Sequence, residues 1–425
     1  MANYNSLMDK LEEDVMGFLN EIQQNFPDSV SLASGRPDES YFDLDRSGEY
    51  LDIFREYLKV DKNFDLRKIT NELGQYNRTK GIINELIVKY LENDYGISAD
   101  PDNTLISVGT QESLMLSVIV LCNKNRDVIL VENPSYVGIS HFSFLCGYEI
   151  SPVAMKKNGV CLATLEKKIL KYQSKGKRVK IVYTIPDFQN PTGIRMPVGN
   201  RKRLLELSKK YNFFIIEDNA YGDFVFDGPK YPTIKSLDES ENVIYLHSFS
   251  KIIHPSLRIG VMVTGKILNE ARKLIDLMSR MKGYTTVNTP SITQSILGGM
   301  LINNEFSFRN YNQAKLESLR RKKVITVEAL KKYFKNSKNP FLNNVSWNSP
   351  EGGFFLTLEF PIAIRKKDMI ECAKNFKVIF TPMSFFYIGN GGENEIRIAY
   401  SHIRENLIDK AIKNLAAFLS KKTEK

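Results

Sequence analysis

Five short apolar runs organise the middle of the chain: TLISVG (104 to 109), DVILVENP, KIVYTIPD, NFFIIEDN and NVIYLHSFS. Each is apolar nearly throughout and ends in small or polar residues. Helical spacing fills several of the gaps between them, as in TQESLMLSVIVLC and RKRLLELSKKY. A strand with one wet face alternates polar and apolar residues, whereas a strand covered on both faces reads as a continuous apolar run. Runs of the second kind, separated by helices, predict an α/β fold with a mostly parallel sheet between helical layers. In such sheets ligands bind beyond the carboxyl ends of the strands. The polar clusters after the runs are therefore expected to meet in one cleft: Thr110-Gln111, Asn133-Pro134-Ser135-Tyr136, 187–193, 218–221 and 248–251.

From about residue 306 the texture changes. A long helical pattern, FRNYNQAKLESLRRKKVITVEALKKYF, precedes short strands near Gly353–Leu358 and Glu395–Tyr400, and a last amphipathic helix carries Leu407, Ala411, Leu415 and Phe418 on one face. A chain of 425 residues is long for one core. The expected division is an N-terminal segment (1–55) joined to a small C-terminal domain (306–425), with a large domain (56–305) between them.

No run of 18 apolar residues exists, so no membrane-spanning helix is expected. The start, MANYNSLMDKLEEDVMGFLNEIQQNF, reads as an amphipathic helix and not as a secretory signal. With four dispersed cysteines (Cys122, Cys146, Cys161, Cys372) and no CxxC pair, a reducing cytoplasm is expected. The four histidines are equally scattered, so no metal site is expected. The net charge of +10 raises a nucleic-acid reading, but the lysines are interleaved with acids. The densest basic run, LRRKK at 319–323, is expected to be a solvated helix face, and no nucleic-acid partner is expected.

The chemistry concentrates in HSFSKIIHPSLRIG (247–260). Ser248, Ser250 and Arg258 can all donate to an anion, and Thr110-Gln111 opens a helix whose free backbone N–H groups favour one. Singly, a serine after a strand reads as a helix cap. Lys251 lies among these donors, where burial and a neighbouring arginine depress an ammonium and leave an amine able to form Schiff bases. An aldehyde that also carries a phosphate describes pyridoxal 5′-phosphate. That cofactor further needs an acid at its ring nitrogen, donors to its phenolic oxygen and a stacking ring. Asp218 can supply the first while ionised, Asn190 and Tyr221 the second, and Tyr136 the third. Taken alone, Asp218 also reads as a strand-end acid and Asn190 as a turn residue before proline.

SFSKIIHPSLRIG resembles the SxSKxxxPxxRxG signature of the class I/II, fold-type I aminotransferases. DFQNPTG, EDNAY, ENPSYVG, VGTQES and EGGFF match other motifs of that family, and EIRIAYSH resembles its carboxylate-binding arginine strand. The similarity spans about Ser34 to Arg397 and is nearest the kynurenine and 2-aminoadipate aminotransferase branch. It implies a large domain with a mostly parallel seven-stranded sheet and a smaller α/β domain. It implies that Lys251 holds pyridoxal 5′-phosphate as an aldimine and then serves as the base, with Asp218 and Tyr221 beside it. Thr110, Gln111, Ser248, Ser250 and Arg258 would bind the phosphate, joined by Tyr76 from the partner of a homodimer. Arg397, helped by Gly35 and Asn190, would bind the substrate carboxylate. An L-amino acid and a 2-oxo acid would then exchange an amino group in two ping-pong half reactions.

Arg36 departs from the family's usual apolar residue between Gly35 and Pro37, either as a solvated turn residue or as a second anion contact. The basic stretch Asn77-Arg78-Thr79-Lys80 departs as well, and donor and acceptor identity stay open. A lyase, a decarboxylase or an oxygen-dependent oxidase or hydroxylase would need the same cofactor residues. A non-enzymatic regulator would carry a DNA-binding module, for which the acidic leader with Glu12-Glu13-Asp14 is unsuited.

Overall fold

The computed structural model describes residues 15–265 and 273–423. Of the expected N-terminal helix, Val15–Asn25 is helical, while residues 1–14, with Glu12-Glu13-Asp14, lie outside the described residues. The last two residues of the SKKTEK tail do so too.

A short strand, β1 (Val30–Ser31), precedes the central sheet. That sheet contains β2 (Thr104–Ser107), β3 (Asp127–Asn133), β4 (Glu149–Lys156), β5 (Gly159–Val160), β6 (Arg178–Thr184), β7 (Phe214–Asn219), β8 (Val243–Ser248) and β9 (Gly260–Val263). Its order is β2-β9-β8-β7-β6-β3-β4-β5. Strands β8, β7, β6, β3 and β4 are parallel, and β9 runs against both of its neighbours. The seven expected strands are present, and the two-residue β5 folds back on β4 as an eighth. All five apolar runs are strands. The sequence pattern missed β4, whose residues are buried only in part near the sheet edge, and the four-residue β9, which is fully buried but too short to stand out as a run.

Burial on both faces follows the two-residue period of a strand. Ile129, Val131, Ile181 and Ile216 enter one core, and Val128, Leu130, Val182 and Ile215 enter another on the opposite face. A third core lies where helix Ser47–Val60, which the 55/56 boundary divides, crosses helix Ser291–Asn303. Gly299 permits that crossing, since a Cβ there would fall 1.8 Å from the carbonyl oxygen of Tyr50.

The C-terminal part carries β10 (Ser346–Trp347), β11 (Phe355–Glu359), β12 (Val378–Ile379), β13 (Thr381–Pro382) and β14 (Glu395–Ala399). Four of these form a sheet of order β10-β11-β14-β13. β12 instead pairs in parallel with β1, tying the N-terminal segment to this part of the molecule. Helix Gln313–Leu330 packs beside the final helix, Glu405–Thr423, which buries Ala411, Leu415 and Phe418. The LRRKK run corrects one expectation: Lys322 is buried, with its ammonium bonded to Asp38 at 2.6 Å, so that helix face is not simply solvated.

Candidate active site

The carboxyl ends of β2, β3, β6, β7 and β8 open on one cavity of about 640 Å³. Its lining includes Thr110, Gln111, Tyr136, Asn190, Asp218, Tyr221, Ser248, Ser250, Lys251, Arg258, Gly35 and Arg397. The polar clusters that follow the five strands therefore do converge.

At one end, helix Thr110–Leu121 points its N-terminus at the cavity. The Gln111 side chain turns away from that end, donating to Gly138 O at 3.1 Å and facing Tyr136 Oη at 3.4 Å, so its backbone N–H is the group left for an anion. Ser248 Oγ accepts from Ser250 N at 3.3 Å. It is thus a helix cap, as serines in this position commonly are, with a hydroxyl proton still to give. Arg258 is exposed and reaches Val108 O at 3.5 Å. Beneath this end, Glu112 accepts from Val108 N at 2.7 Å and from Lys282 Nζ at 2.8 Å. Sequence reasoning missed that pair, for which a buried acid in the first helical turn is the available signal.

Lys251 sits in the short helix Phe249–Ile252, and its Nζ donates to Gly35 O at 3.0 Å. Burial, followed by the charges of Arg397, Arg258 and Arg36, lowers this ammonium to about 8. A substantial neutral fraction therefore exists near pH 8.

Asp218 is the penultimate residue of β7, paired with Leu246 of β8, the strand that leads into the lysine-bearing helix. Its Oδ2 accepts from Tyr183 Oη at 2.7 Å, and its buried Oδ1 has no partner. Burial raises this carboxyl to about 6, opposed by the Tyr183 hydrogen bond, which leaves it largely ionised at neutral pH. Sequence reading missed Tyr183 because it sits inside an apolar strand. A tyrosine in such a strand still has a hydroxyl needing a partner, which was the usable signal. One unsatisfied carboxylate oxygen facing a cavity suits a protonated ring nitrogen. The residues present therefore fit pyridoxal phosphate at three points: an anion cradle, an activated amine and an acid.

At the other end, Arg397 of β14 is 2% exposed. Its Nη1 donates to Asn190 Oδ1 at 2.8 Å and its Nη2 to Ala33 O at 2.6 Å, while its buried Nε has no partner. Phe355 and Phe386 place their rings 4.4 and 4.7 Å from the guanidinium carbon. Gly35 leaves room for the first of these rings, since a Cβ there would fall 2.5 Å from Phe355. Burial lowers Arg397 to about 10, with Tyr221 opposing, and it stays a cation at neutral pH. Tyr221 packs edge-on to Phe354 and Phe355, and burial pushes its hydroxyl well above the ordinary tyrosine range. Tyr76 is 85% exposed and lies outside the lining of this cavity.

The sheet order, the crossover helices and a lysine on the short helix after β8 define the fold-type I class of pyridoxal-phosphate enzymes. The chain belongs to the aminotransferase class I and II family, whose pattern its residues 47–415 match. It is 35% identical over 405 residues to a (S)-3,5-dihydroxyphenylglycine transaminase from Amycolatopsis orientalis, covering 95% of this chain and 91% of that one. It is 30% identical to aromatic-amino-acid aminotransferase 1 of Thermococcus litoralis, covering 94% of this chain and 89% of that one. Among solved structures, Pyrococcus horikoshii kynurenine aminotransferase in complex with PMP matches with a TM-score of 0.83 and 29% identity, covering 99% of this chain and 98% of that one. The chain is a pyridoxal-phosphate-dependent aminotransferase, and these relatives favour transamination over the lyase, decarboxylase and oxidase reactions. Among the described residues, no helix is long and apolar enough to cross a membrane.

Proposed function

We propose that the amino donor is an L-amino acid with an aromatic side chain and that the acceptor is a 2-oxo acid. One observation carries this reading. Besides the buried Arg397, the cavity lining carries Leu19, Phe42, Tyr136, Ile185 and Phe355, apolar surface suited to a flat ring. The names of the dihydroxyphenylglycine and aromatic-amino-acid relatives support it.

Bound here, pyridoxal phosphate supplies the aldehyde that takes up the amino group and the conjugated ring that accepts the electron pair of the donor's Cα–H bond. The chain's own residues supply the rest. Arg397 holds the donor's α-carboxylate, with Asn190 and Gly35 beside it, and so aims the Cα–H bond. Lys251 Nζ, close to neutral, removes the proton from Cα. Asp218 keeps a proton on the ring nitrogen, Asn190 and Tyr221 donate to the phenolic oxygen, and Tyr136 stacks on the ring. Thr110, Gln111, Ser248, Ser250 and Arg258 hold the phosphate. Tyr76, exposed and outside the lining of its own cavity, would reach the phosphate of a partner subunit in a homodimer. Segments 1–55 and 306–425 act as one small domain, which the pairing of β1 with β12 supports. The enzyme works in the cytoplasm, consistent with its unpaired cysteines.

The test is a titration of the purified enzyme's visible absorption with a panel of L-amino acids under nitrogen, with a Lys251→Ala variant alongside. Aromatic donors should bleach the cofactor band and a 2-oxo acid should restore it. Lys251→Ala should lose at least about a thousandfold in rate. Faster conversion of acidic or aliphatic donors would overturn the donor assignment, and retained turnover in the variant would overturn the role of Lys251.

A further inference from the structure

Helix Gln313–Leu330 buries two lysines, Lys315 and Lys322, which are 3% and 2% exposed. They are seven residues apart, about two turns or roughly 10 Å along the axis. Neither belongs to the lining of the cavity.

Lys315 Nζ donates to Ile252 O at 2.5 Å, to Lys251 O at 3.3 Å and to Asn312 Oδ1 at 3.0 Å. Two of these acceptors are carbonyls at the end of the short helix that carries Lys251, where backbone oxygens lack helical partners and a cation is favoured. Lys322 Nζ donates to Asp38 Oδ2 at 2.6 Å and to Ser401 O at 3.1 Å. Asp38 lies just beyond the carbonyls of Ala33 and Gly35, which meet Arg397 and Lys251. Ser401 follows β14, and its Oγ donates to Arg36 O at 2.7 Å. One helix therefore grips the lysine-bearing turn with one ammonium and the opposing wall with another.

Stability alone does not call for this arrangement. A buried charge carries a large desolvation cost, and an apolar side chain of similar volume is often neutral or stabilising in its place. The cost is visible at Lys315, which burial pulls down to about 7 despite the nearby carboxylates of Asp223 and Asp38.

We propose that Lys315 and Lys322 are positioning residues: through one rigid helix they set the Lys251 turn against the segment 33–38 and the strand of Arg397. The inference rests on Lys251 being the reacting amine. Lys315 governs the amine and the cofactor attached to it, and Lys322 governs capture of the amino acid.

Lys315→Met and Lys322→Met holoenzymes are to be compared with the unaltered protein in thermal unfolding and in kcat and KM. Affinity for pyridoxal phosphate is read on the cofactor-stripped proteins. Both variants should unfold within a few degrees of the parent. Displacing a reacting group by an ångström costs roughly ten- to a hundredfold, so Lys315→Met should lose that much kcat and bind pyridoxal phosphate more weakly, with KM little changed. Lys322→Met should instead raise the KM for the amino acid, with kcat and cofactor affinity held within about threefold. Parent-like kinetics in both variants, the same loss of kcat and KM in both, or unfolding of both would each overturn the proposal. Lys251→Ala, run alongside, separates its failure from that of the underlying assignment: turnover surviving in that variant removes the premise itself.

Discussion

Arg258 and Arg397 face the same cavity and are both suited to oxyanions, yet they are built in opposite ways. Arg258 is exposed and makes one long contact, to Val108 O at 3.5 Å. Arg397 is 2% exposed, sits between two aromatic rings and makes one hydrogen bond from each Nη, to Asn190 and Ala33, leaving Nε unmatched. The first shares its end of the cavity with a helix N-terminus and two serines. The second is the one buried arginine lining the cavity. On the proposed assignment, a group that stays bound through many turnovers would be held by several modest donors. A substrate that must arrive and leave would be held by one preorganised cation whose desolvation has already been met in the folded protein.

Removing Arg397 gives the largest break of that comparison. Arg397→Ala should lower kcat/KM for the amino donor by about 3 kcal/mol, roughly a hundredfold, because truncating one side of a buried charged pair costs that much. Steady-state kinetics check it, and cofactor affinity should change little. Arg258→Ala should weaken pyridoxal phosphate only about tenfold, the worth of one charge-assisted hydrogen bond. Equilibrium binding to the stripped protein measures that, and equal losses in the two variants would erase the distinction drawn between them.

The pH dependence of the amine sharpens the same contrast. Burial and three arginines place Lys251 at about 8, so its labelling by a small aldehyde in the stripped protein should rise as pH increases through 8. Arg397→Ala and Arg258→Ala each remove a neighbouring positive charge, so the midpoint should move upward in both. Arg397 should have the larger effect, being the first of the three arginines in weight. The smallest effect is expected from Tyr183→Phe. Loss of its hydrogen bond should raise Asp218 above about 6, and the acid limb of cofactor binding should move to higher pH.

Much of this contrast was legible in the sequence because it is local. The Arg258 end, proposed to bind the phosphate, comes largely from residues that follow apolar strands, and Ser248, Ser250, Lys251 and Arg258 fall within eleven positions. The Arg397 end, proposed to bind the carboxylate, assembles Ala33, Asn190 and Arg397 from three distant stretches. Arg397 was found only through resemblance of its strand to a family motif, and the carbonyl of Ala33 has no sequence signal at all. The buried Lys322 was misread for a related reason. Composition along a helix reports charge, and only the packing of residue 38 against residue 322 reveals that one such charge is enclosed.

Ala33 and Gly35 enter the site through carbonyl oxygens. Side-chain replacement cannot delete such a contact, so alanine scanning across this segment would undervalue it. It also separates two tasks that most sites entangle. The main chain of residues 33–35 secures the amine and the guanidinium, while Arg36 is exposed and belongs to the cavity lining. Replacing Arg36 would therefore leave both main-chain contacts in place and reach the amine only through its charge, as the third of the arginines that lower Lys251.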